Sequence, residues 1–138
     1  MKFVPMKAEH AMLLDVINGV AEEITPEIAV NMEECGGVSA IDDDGNVVAI
    51  CGILPKWEGT GVAWAWLTRD WRRNARKITE EVHRHLDNCE LKRIELAVKV
   101  GFEGGYKWAE RLGFTVETPV AKNWGPDSGD YRVYVRCK

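Results

Sequence analysis

The sequence predicts an α/β fold in which a mixed, mostly antiparallel sheet with one central parallel strand pair carries flanking helices. Seven segments suit strands, several of them alternating apolar and polar residues, and four repeat apolar residues at helical spacing. One of these helices joins the fourth and fifth strands. Because a helical crossover returns the chain in the same direction, we expect those two strands to be parallel neighbours.

The residue pattern of the N-terminal part of the chain predicts one strand and two helices. A short strand covers residues 3–6, and a first amphipathic helix covers residues 9–20. The apolar face of this helix comprises Leu13, Val16, Ile17 and Val20. The second helix opens at Thr25, which can cap it, with Pro26 at the first helical position, and it ends at Gly36.

Three strands follow in quick succession and predict an antiparallel meander. They cover residues 38–41, 47–54 and 62–67. The segment at residues 42–46 contains three aspartates and a glycine, a composition typical of the turn that closes a hairpin. Consecutive aspartates of one turn do not converge on a point, so we interpret them as a solvated turn and predict no metal site.

The second half of the chain alternates helices and strands. A long helix ends near Asn88. Its apolar stripe comprises Ala75, Ile78, Val82 and Leu86. The next strand, at residues 93–100, has one apolar face. The last helix places Trp108 and Leu112 at helical spacing, and Gly113 is positioned to end it. The final strands cover residues 114–117 and 130–137.

Composition and charge bound the function classes. The chain has 138 residues, of which 46% are hydrophobic and 29% charged, so residues 1–138 fit one domain with a buried core. A net charge of -4 argues against general attraction to nucleic acids or anionic membranes. Because no stretch resembles a secretory signal or a membrane span, we expect a cytoplasmic protein. The four cysteines are widely scattered, so we expect reduced thiols.

Two stretches resemble the GCN5-related N-acetyltransferase (GNAT) family, whose members transfer an acetyl group from acetyl-CoA to an amine. The N-terminal MKFVPMKAEHAMLLDV is similar to the family's first strand and helix, and WAERLGF is similar to its closing LYEKLGF. Together with the order of the elements, the likeness covers nearly the whole chain. It implies a GNAT-type sheet whose central parallel strands splay apart, with acetyl-CoA as the cofactor.

A narrower resemblance links the chain to small GNAT-like proteins of tailed bacteriophages and prophages, including the internal virion protein family of T7-like phages. Two runs carry it, GTGVAWAWLTRDWRRNARKITEEVHRHLDN and KRIELAVKVGFEGGYKWAERLGF. This resemblance implies a phage-encoded protein that acts in virion assembly, located in the host cytoplasm or associated with the virion.

The GNAT resemblance also implies where acetyl-CoA would bind. The pantetheine arm is expected at the end of the fourth strand, near Trp66, Leu67 and Thr68. The pyrophosphate is expected at the N-terminus of the following helix. The family's Q/R-x-x-G-x-G/A turn matches Arg72, Arg73, Asn74, Ala75, Arg76 and Lys77. Arg72 fits this motif, whereas Ala75 and Lys77 replace its glycine and its second small residue.

Basic residues concentrate in this region and allow three interpretations. The cluster comprises Arg69, Arg72, Arg73, Arg76 and Lys77. It lies where a polyanion such as the pyrophosphate would bind, yet charge runs of this kind also form solvated helix faces. In the third interpretation, Trp71 among the arginines is a surface on which the bases of single-stranded nucleic acid stack. This interpretation is the least favoured of the three, because the chain is acidic.

Acetyl transfer needs a base for the amine and an acid for the leaving thiolate. The resemblance implies that the acid is the tyrosine of LYEKLGF, where this chain has Ala109. Tyr106, one turn earlier, is a candidate substitute, and Tyr134 on the last strand is another. For the base, Glu95 on the fifth strand and Glu103 just beyond it are the candidates, and Glu103 is the better placed at the strand end.

Two functions therefore stay open. The first is an acyl-CoA-dependent N-acyltransferase with an amine substrate. The second is a non-catalytic scaffold that binds phage or host proteins, which an exposed aromatic surface built from some of Trp57, Trp71 and Trp124 would favour. Because many GNAT proteins dimerise, the resemblance also makes a homodimer plausible.

Overall fold

The structure of the protein, a computed structural model, describes residues 1–14, 24–125 and 127–138. The strands are β1 (Lys2–Pro5), β2 (Val38–Ile41), β3 (Val47–Trp57), β4 (Thr60–Leu67), β5 (Arg93–Lys99), β6 (Thr115–Ala121) and β7 (Tyr131–Cys137). The helices are α1 (Ala8–Met12), α2 (Pro26–Glu34), α3 (Ala75–Asn88) and α4 (Glu103–Arg111). A 3-10 helix at Arg69–Asn74 leads directly into α3.

The strands form a seven-stranded sheet in the order β1-β2-β3-β4-β5-β7-β6. Every neighbouring pair is antiparallel except β4 and β5, which are parallel. The predicted fold class, a mostly antiparallel mixed sheet with one central parallel pair and flanking helices, is therefore confirmed. The parallel pair follows from the chain path, because the 3-10 helix and α3 carry the chain back to the end of the sheet at which β4 began.

Helices cover both faces of the sheet. On one face, α1 and α2 cover β3 and β4. The buried residues of this cluster are Met6, Ala11, Ala29, Ile50 and Trp66. On the other face lie α3 and α4, and the predicted apolar stripe of α3 is confirmed because Ile78 and Leu86 are buried in the core. No helix in the described ranges is long and apolar enough to cross a membrane.

Two helix boundaries form as the sequence predicts. The Thr25 hydroxyl oxygen accepts a hydrogen bond from the backbone N–H of Ile28 (3.2 Å), and Pro26 is the first residue of α2. The last helix, α4, ends at Arg111, and Gly113 has a φ of +88°. A side chain would be strained at this angle, so glycine allows the chain to turn from α4 into β6.

The first helix is shorter than predicted. The periodicity predicts a helix over residues 9–20, whereas α1 ends at Met12. Leu13, expected on the buried face, is 87% exposed. The remaining members of that face, Val16, Ile17 and Val20, lie outside the described residues. Within α1 itself, Ala11 is the one buried residue.

The hairpin of β3 and β4 is longer than predicted. Residues 55–61, expected as a connection, contain only a tight turn, in which Gly59 has a φ of +82°. Pro55 is tolerated inside β3 because the register shifts between Pro55 and Trp57, as at a β-bulge. The β3 residues at this end, Pro55 to Trp57, are all exposed, so they do not show the alternation from which a strand could be predicted, whereas Thr60 and Gly61 of β4 are buried.

One of two adjacent glycines in α4 allows this helix to lie close to β5. A Cβ at Gly105 would lie 2.6 Å from Cγ1 of Val98 and 2.8 Å from Cδ2 of Phe102. A Cβ at Gly104 would meet only the ring of Phe102, at 3.3 Å. The first of these distances is too short for a stiff, β-branched neighbour to accommodate. Glycine at position 105 therefore sets the separation of α4 from the sheet.

We expect Gly105→Ala to lower the free energy of unfolding by about 1–3 kcal/mol, because the added methyl group overpacks the contact with Val98. Gly104→Ala is the matched control and should change that free energy by less than about 1 kcal/mol, since alanine favours the helix and the Phe102 ring can shift. Urea denaturation measures both. Equal effects of the two variants would contradict this account of the packing.

Candidate functional site

A cleft opens in the centre of the sheet where the two parallel strands part. β4 pairs with β5 only from Thr60 to Val62. Beyond that point β4 stays paired with β3 as far as Leu67, and β5 stays paired with β7 to its last residue. The edge of β4 at residues 63–67 therefore faces the cleft without a partner strand. The splayed strand pair implied by the resemblance is present.

A cavity of about 610 Å³ occupies this cleft. Every residue of β4 from Val62 to Leu67 lines it, together with Leu96, Ala97 and Val98 of β5. The lining is predominantly apolar, and within the described residues Glu81 and His85 are its only charged or imidazole side chains. A cavity of this size suits a small organic ligand or the arm of a cofactor.

Two tryptophans form the wall of the cavity on the α2 side. The Trp64 indole lies over β3, where a Cβ at Gly52 would be 2.7 Å from its Cζ2 atom, and a Cβ at Gly37 would be 3.1 Å from the same ring. The rings of Trp64 and Trp66 are 4.8 Å apart between centroids. The two glycines therefore provide the slot that holds Trp64 and fixes this wall.

On the opposite face, two further tryptophans close the end of the cleft between α3 and α4. The rings of Trp71 and Trp108 are 5.1 Å apart, and Trp108 Nε1 donates a hydrogen bond to Thr79 Oγ1 (2.8 Å). Trp71 is only 8% exposed. The sequence allowed Trp71 to be an exposed stacking surface among the arginines, and that hypothesis is wrong because the side chain is anchored in the core.

The connection from β4 to α3 is a helix and not an open loop. The backbone N–H of Trp71 bonds to the Thr68 carbonyl oxygen (3.2 Å), as the first turn of the 3-10 helix requires. The N–H of Ala75, at the start of α3, bonds to the carbonyl oxygen of Arg72. No residue from 68 to 77 has a positive φ. Most backbone donors of this connection are therefore already paired.

The residues predicted to hold a cofactor divide into two groups. Trp66 and Leu67 are buried and line the cavity. Thr68 is buried, but its hydroxyl donates to the Val48 carbonyl oxygen (2.8 Å). The Asn74 side chain donates to the Asp70 carbonyl oxygen (3.2 Å). The C-terminal end of β4 therefore lines the cavity, whereas the side chains of Thr68 and Asn74 are used in hydrogen bonds to the backbone.

The four remaining basic residues of the predicted cofactor turn lie on the protein surface. These exposed residues are Arg72, Arg73, Arg76 and Lys77. Arg73 is 3.9 Å from Asp70, and Arg76 Nε lies 3.3 Å from Glu80 Oε1, both as exposed ion pairs. Ala75 has helical backbone angles, so it substitutes for glycine there without strain. These charges surround the start of α3 without lining the cavity.

Glu95, a predicted base, lies at the closed end of the cleft and is ion-paired. Lys56 Nζ is 2.8 Å from its Oε1, and Arg93 Nη2 is 2.7 Å from its Oε2. Arg93 also donates to Glu117 (Nη1 to Oε2, 2.9 Å). The hydrogen bonds from Lys56 and Arg93 lower the pKa of Glu95. Its carboxylate is consequently a weaker base than a free glutamate.

Tyr106, the predicted acid, is buried against the turn that follows β5. Its hydroxyl oxygen accepts a hydrogen bond from the backbone N–H of Gly101 (2.8 Å). The guanidinium of Arg132 lies 4.0 Å above its ring. Tyr106 does not line the cavity, whereas Ala109, which occupies the position of the family's tyrosine, does. The other candidate, Tyr134, is completely buried in the core and does not line the cavity either.

Glu103, the other predicted base, is the first residue of α4 and is exposed. Its neighbours Phe102 and Gly104 line the cavity, and Glu103 itself does not. Within the described chain its carboxylate has no ion pair closer than 4 Å. Glu103 therefore lies at the rim of the cavity near the open end of β5.

One pair of cavity residues was missed by the sequence. His85 Nε2 lies 3.2 Å from Glu81 Oε1 on the cavity side of α3. A hydrogen bond from Arg84 also reaches Glu81 and is the main cause of its lowered pKa. The i, i+4 spacing of Glu81 and His85 was the available signal.

The cysteines are free thiols, and Cys51 lines the cavity. Burial raises the pKa of the Cys51 thiol to about 12. The thiol therefore stays protonated at neutral pH and is a poor nucleophile. Within the described ranges, no group of three acidic, histidine or cysteine side chains gathers closely enough to hold a metal ion.

Solved acetyltransferases share this fold. An N-acetyltransferase from Staphylococcus aureus has a TM-score of 0.81 at 10% identity, covering 99% of this chain and 96% of that chain. Ard1 from Thermoplasma volcanium has a TM-score of 0.81 at 11% identity with the same coverage, 99% and 96%. A GNAT superfamily phosphinothricin acetyltransferase from Sinorhizobium meliloti, in complex with AcCoA, has a TM-score of 0.75 at 16% identity, covering 99% and 87%.

These similarities establish that the chain has the GNAT fold. The identities are too low to extend the likeness from fold to activity. No protein-family model matches the sequence. No curated protein matches it either.

We expect Glu95→Gln to lower the free energy of unfolding near neutral pH by about 1 kcal/mol, because the charge bound by Lys56 and Arg93 is removed. The pKa of Glu95 lies below its ordinary value of 4.5. This stabilisation is therefore present above the ordinary value and is lost as the pH falls through the folded-state pKa. Urea denaturation at a series of pH values should show the two proteins converging in acid.

The matched control is Glu58→Gln, which alters an exposed glutamate in the turn between β3 and β4. It should leave the free energy of unfolding nearly unchanged at every pH. A Glu95→Gln effect that stays constant from neutral to acidic pH would show that the ion pairs are not its cause.

Proposed function

We propose that the protein is an acyl-CoA-dependent N-acyltransferase that transfers an acetyl group to an amine. The open edge of β4 is the observation that carries this proposal. Its residues 63–67 present backbone donors and acceptors to a cavity and not to a neighbouring strand. An extended chain with amide groups, such as the pantetheine arm of CoA, can add to such an edge as another strand would.

The interior of the cavity fits this arm. Trp64 and Trp71 line the cavity, and their indole N–H groups are buried without an acceptor among the described residues. A buried donor without an acceptor costs about 1–3 kcal/mol. The amide carbonyls of pantetheine would supply acceptors in otherwise apolar surroundings, so binding would offset part of this cost.

The surface at the start of α3 would meet the phosphates through side chains. The exposed guanidinium groups there belong to Arg69, Arg72, Arg73 and Arg76. A guanidinium can bind a phosphate with two parallel hydrogen bonds. Because most backbone N–H groups of the connection already have partners, the side chains would carry most of this interaction.

Direct transfer to the amine is favoured over a covalent protein intermediate. When bound, acetyl-CoA would supply the acetyl group as a thioester, which an amine can attack with release of the thiol. The cysteine of the cavity, Cys51, is held as a neutral thiol by its raised pKa. The cavity itself would contribute chiefly by placing the two reactants together, and such positioning can supply much of the rate.

The transfer of the amine proton is assigned to a residue at the rim of the cavity. We assign the base to Glu103, whose exposed carboxylate lies beside the lining residues Phe102 and Gly104. Tyr106 is not assigned as the acid, because its hydroxyl is bound to the Gly101 N–H and its side chain does not line the cavity. Glu95 would act as an anchor for the strands more than as a base, since Lys56 and Arg93 bind its carboxylate.

The acceptor amine would enter on the α2 side of the sheet. Ile28 and Met32 of α2 line the cavity there, together with Trp64. Trp124, which is 52% exposed, lies at the outer rim beside Tyr131. An apolar and aromatic entrance of this kind suits an amine attached to a hydrophobic body.

A second candidate is a non-catalytic scaffold that binds phage or host proteins, as the resemblance to virion assembly proteins implies. Two exposed tryptophans favour it. Trp57 is 64% exposed at the end of the β3–β4 hairpin, and Trp124 is 52% exposed. Trp71, which was expected to extend this aromatic surface, is buried. The two candidates differ in whether a CoA thioester binds the cavity.

Isothermal titration with acetyl-CoA tests the proposal. We expect micromolar affinity, about -8 kcal/mol of binding free energy. Ala65→Leu should weaken binding at least about tenfold, because Ala65 lies on the open edge of β4 and a larger side chain would fill the cleft. Release of free thiol on adding a panel of amines then tests for turnover.

The matched control is Ala121→Leu, the same change at a half-buried alanine of β6 outside the cavity lining. It should bind acetyl-CoA like the wild type. Absence of binding heat for the wild-type protein, together with no thermal shift at high acetyl-CoA concentration, would overturn the transferase proposal and favour the scaffold.

A further inference from the structure

We infer that this site recognises its donor as an acyl-pantetheine thioester, and that the nucleotide half of CoA contributes only a screened electrostatic attraction. The inference rests on the proposed function and specifies the donor of the same site. It predicts that a thioester lacking the nucleotide and its phosphates binds nearly as well as acetyl-CoA once salt has screened the surface charges.

The first argument is the pairing of backbone donors between β4 and α3. An anion at a helix N-terminus is normally bound by backbone N–H groups that the helix leaves unpaired. Here the N–H of Thr68 bonds to Val48, that of Trp71 to Thr68, and that of Ala75 to Arg72. The 3-10 helix uses its own inner N–H groups in the same way. Few donors are left for a diphosphate.

The second argument is the backbone geometry of the same connection. A concave site that cradles an anion with successive N–H groups alternates right-handed and left-handed residues. All residues from 68 to 77 are described, none is glycine, and none has a positive φ. Trp71, packed against Trp108, anchors the middle of the connection in the core. Rearrangement into an open loop would therefore have to extract a buried tryptophan.

The third argument is the exposure of the basic side chains. The Arg76 side chain is 93% exposed and the Arg73 side chain is 85% exposed, and each already has an acidic neighbour. Contacts between exposed charges contribute at most a few-fold in affinity each and are screened by salt. By contrast, the arm would lie in a cavity lined by buried residues such as Trp66 and Leu67. Most of the binding free energy of the thioester is therefore expected from contacts to its pantetheine arm.

Isothermal titration with three probes tests this inference on the full chain. The probes are acetyl-CoA, S-acetylpantetheine and adenosine 3′,5′-bisphosphate. At about 0.5 M NaCl we expect the dissociation constant of S-acetylpantetheine to lie within about tenfold of that of acetyl-CoA. At about 0.1 M NaCl acetyl-CoA should gain affinity, whereas S-acetylpantetheine should not. The bisphosphate should not displace S-acetylpantetheine at the higher salt concentration.

The double variant Arg72→Ala/Arg73→Ala should remove most of the gain that acetyl-CoA shows at low salt and leave the affinity for S-acetylpantetheine unchanged. Lys92→Ala is the matched control. It removes an exposed cation beyond the other end of α3, about 20 Å from the arginines by the length of a 14-residue helix. This control should bind both thioesters like the wild type.

The outcomes separate this inference from the function on which it rests. If acetyl-CoA binds and S-acetylpantetheine binds more than about 100-fold more weakly at both salt concentrations, the inference is wrong and the transferase proposal stands. Displacement of the thioester by adenosine 3′,5′-bisphosphate at high salt would overturn it too. If neither thioester binds, both proposals fall.

Discussion

The short parallel contact between β4 and β5 is the constraint on which the site depends. Only Thr60 to Val62 of β4 pair with β5, and an ion network crosses the sheet at the same level. It runs from Lys56 of β3 through Glu95 and Arg93 of β5 to Glu117 of β6. Lys56 and Glu117 at its two ends are exposed, but Glu95 and Arg93 at its centre are half-buried, and their charges are screened less than those of surface pairs. They therefore hold the strands together at one end while the outer edges stay paired with β3 and β7.

The alternation of small and large residues along β4 turns this divergence into a cavity with two different walls. Ala63 and Ala65 face α3 and α4 and leave space beneath those helices. Trp64 and Trp66 face α2 and close the other side. Side chains of a strand alternate between its two faces, so alternating alanine and tryptophan residues place the large side chains on one face and the small ones on the other. The result is one cleft whose β4 wall carries small side chains towards α3 and α4 and two tryptophans towards α2.

The connection from β4 to α3 follows a helical path with arginines on its outer surface. Burial of Trp71 against Trp108 stabilises a helical path for this segment, and a helical path consumes the backbone N–H groups that an open loop would offer. The arginines on its outer surface keep positive charge near the same place. Charge acts over several ångströms without a fixed geometry, whereas a backbone cradle requires one conformation. We therefore propose that this surface attracts anions at long range without a precise backbone contact to a phosphate.

The sequence by itself determined the order of the elements, because side-chain periodicity, the capping Thr25 and the turn at Gly113 are local properties of the chain. The resemblance to the GNAT family implied the open edge of β4, and the sequence itself showed the basic cluster. The tertiary structure decided what the residues of the site do. Glu95 is bound by Lys56, which is 39 residues away in the chain, and Trp108 donates to Thr79, which is 29 residues away. Contacts between residues so distant in sequence leave no periodic signal, so only the folded chain assigns those side chains their partners.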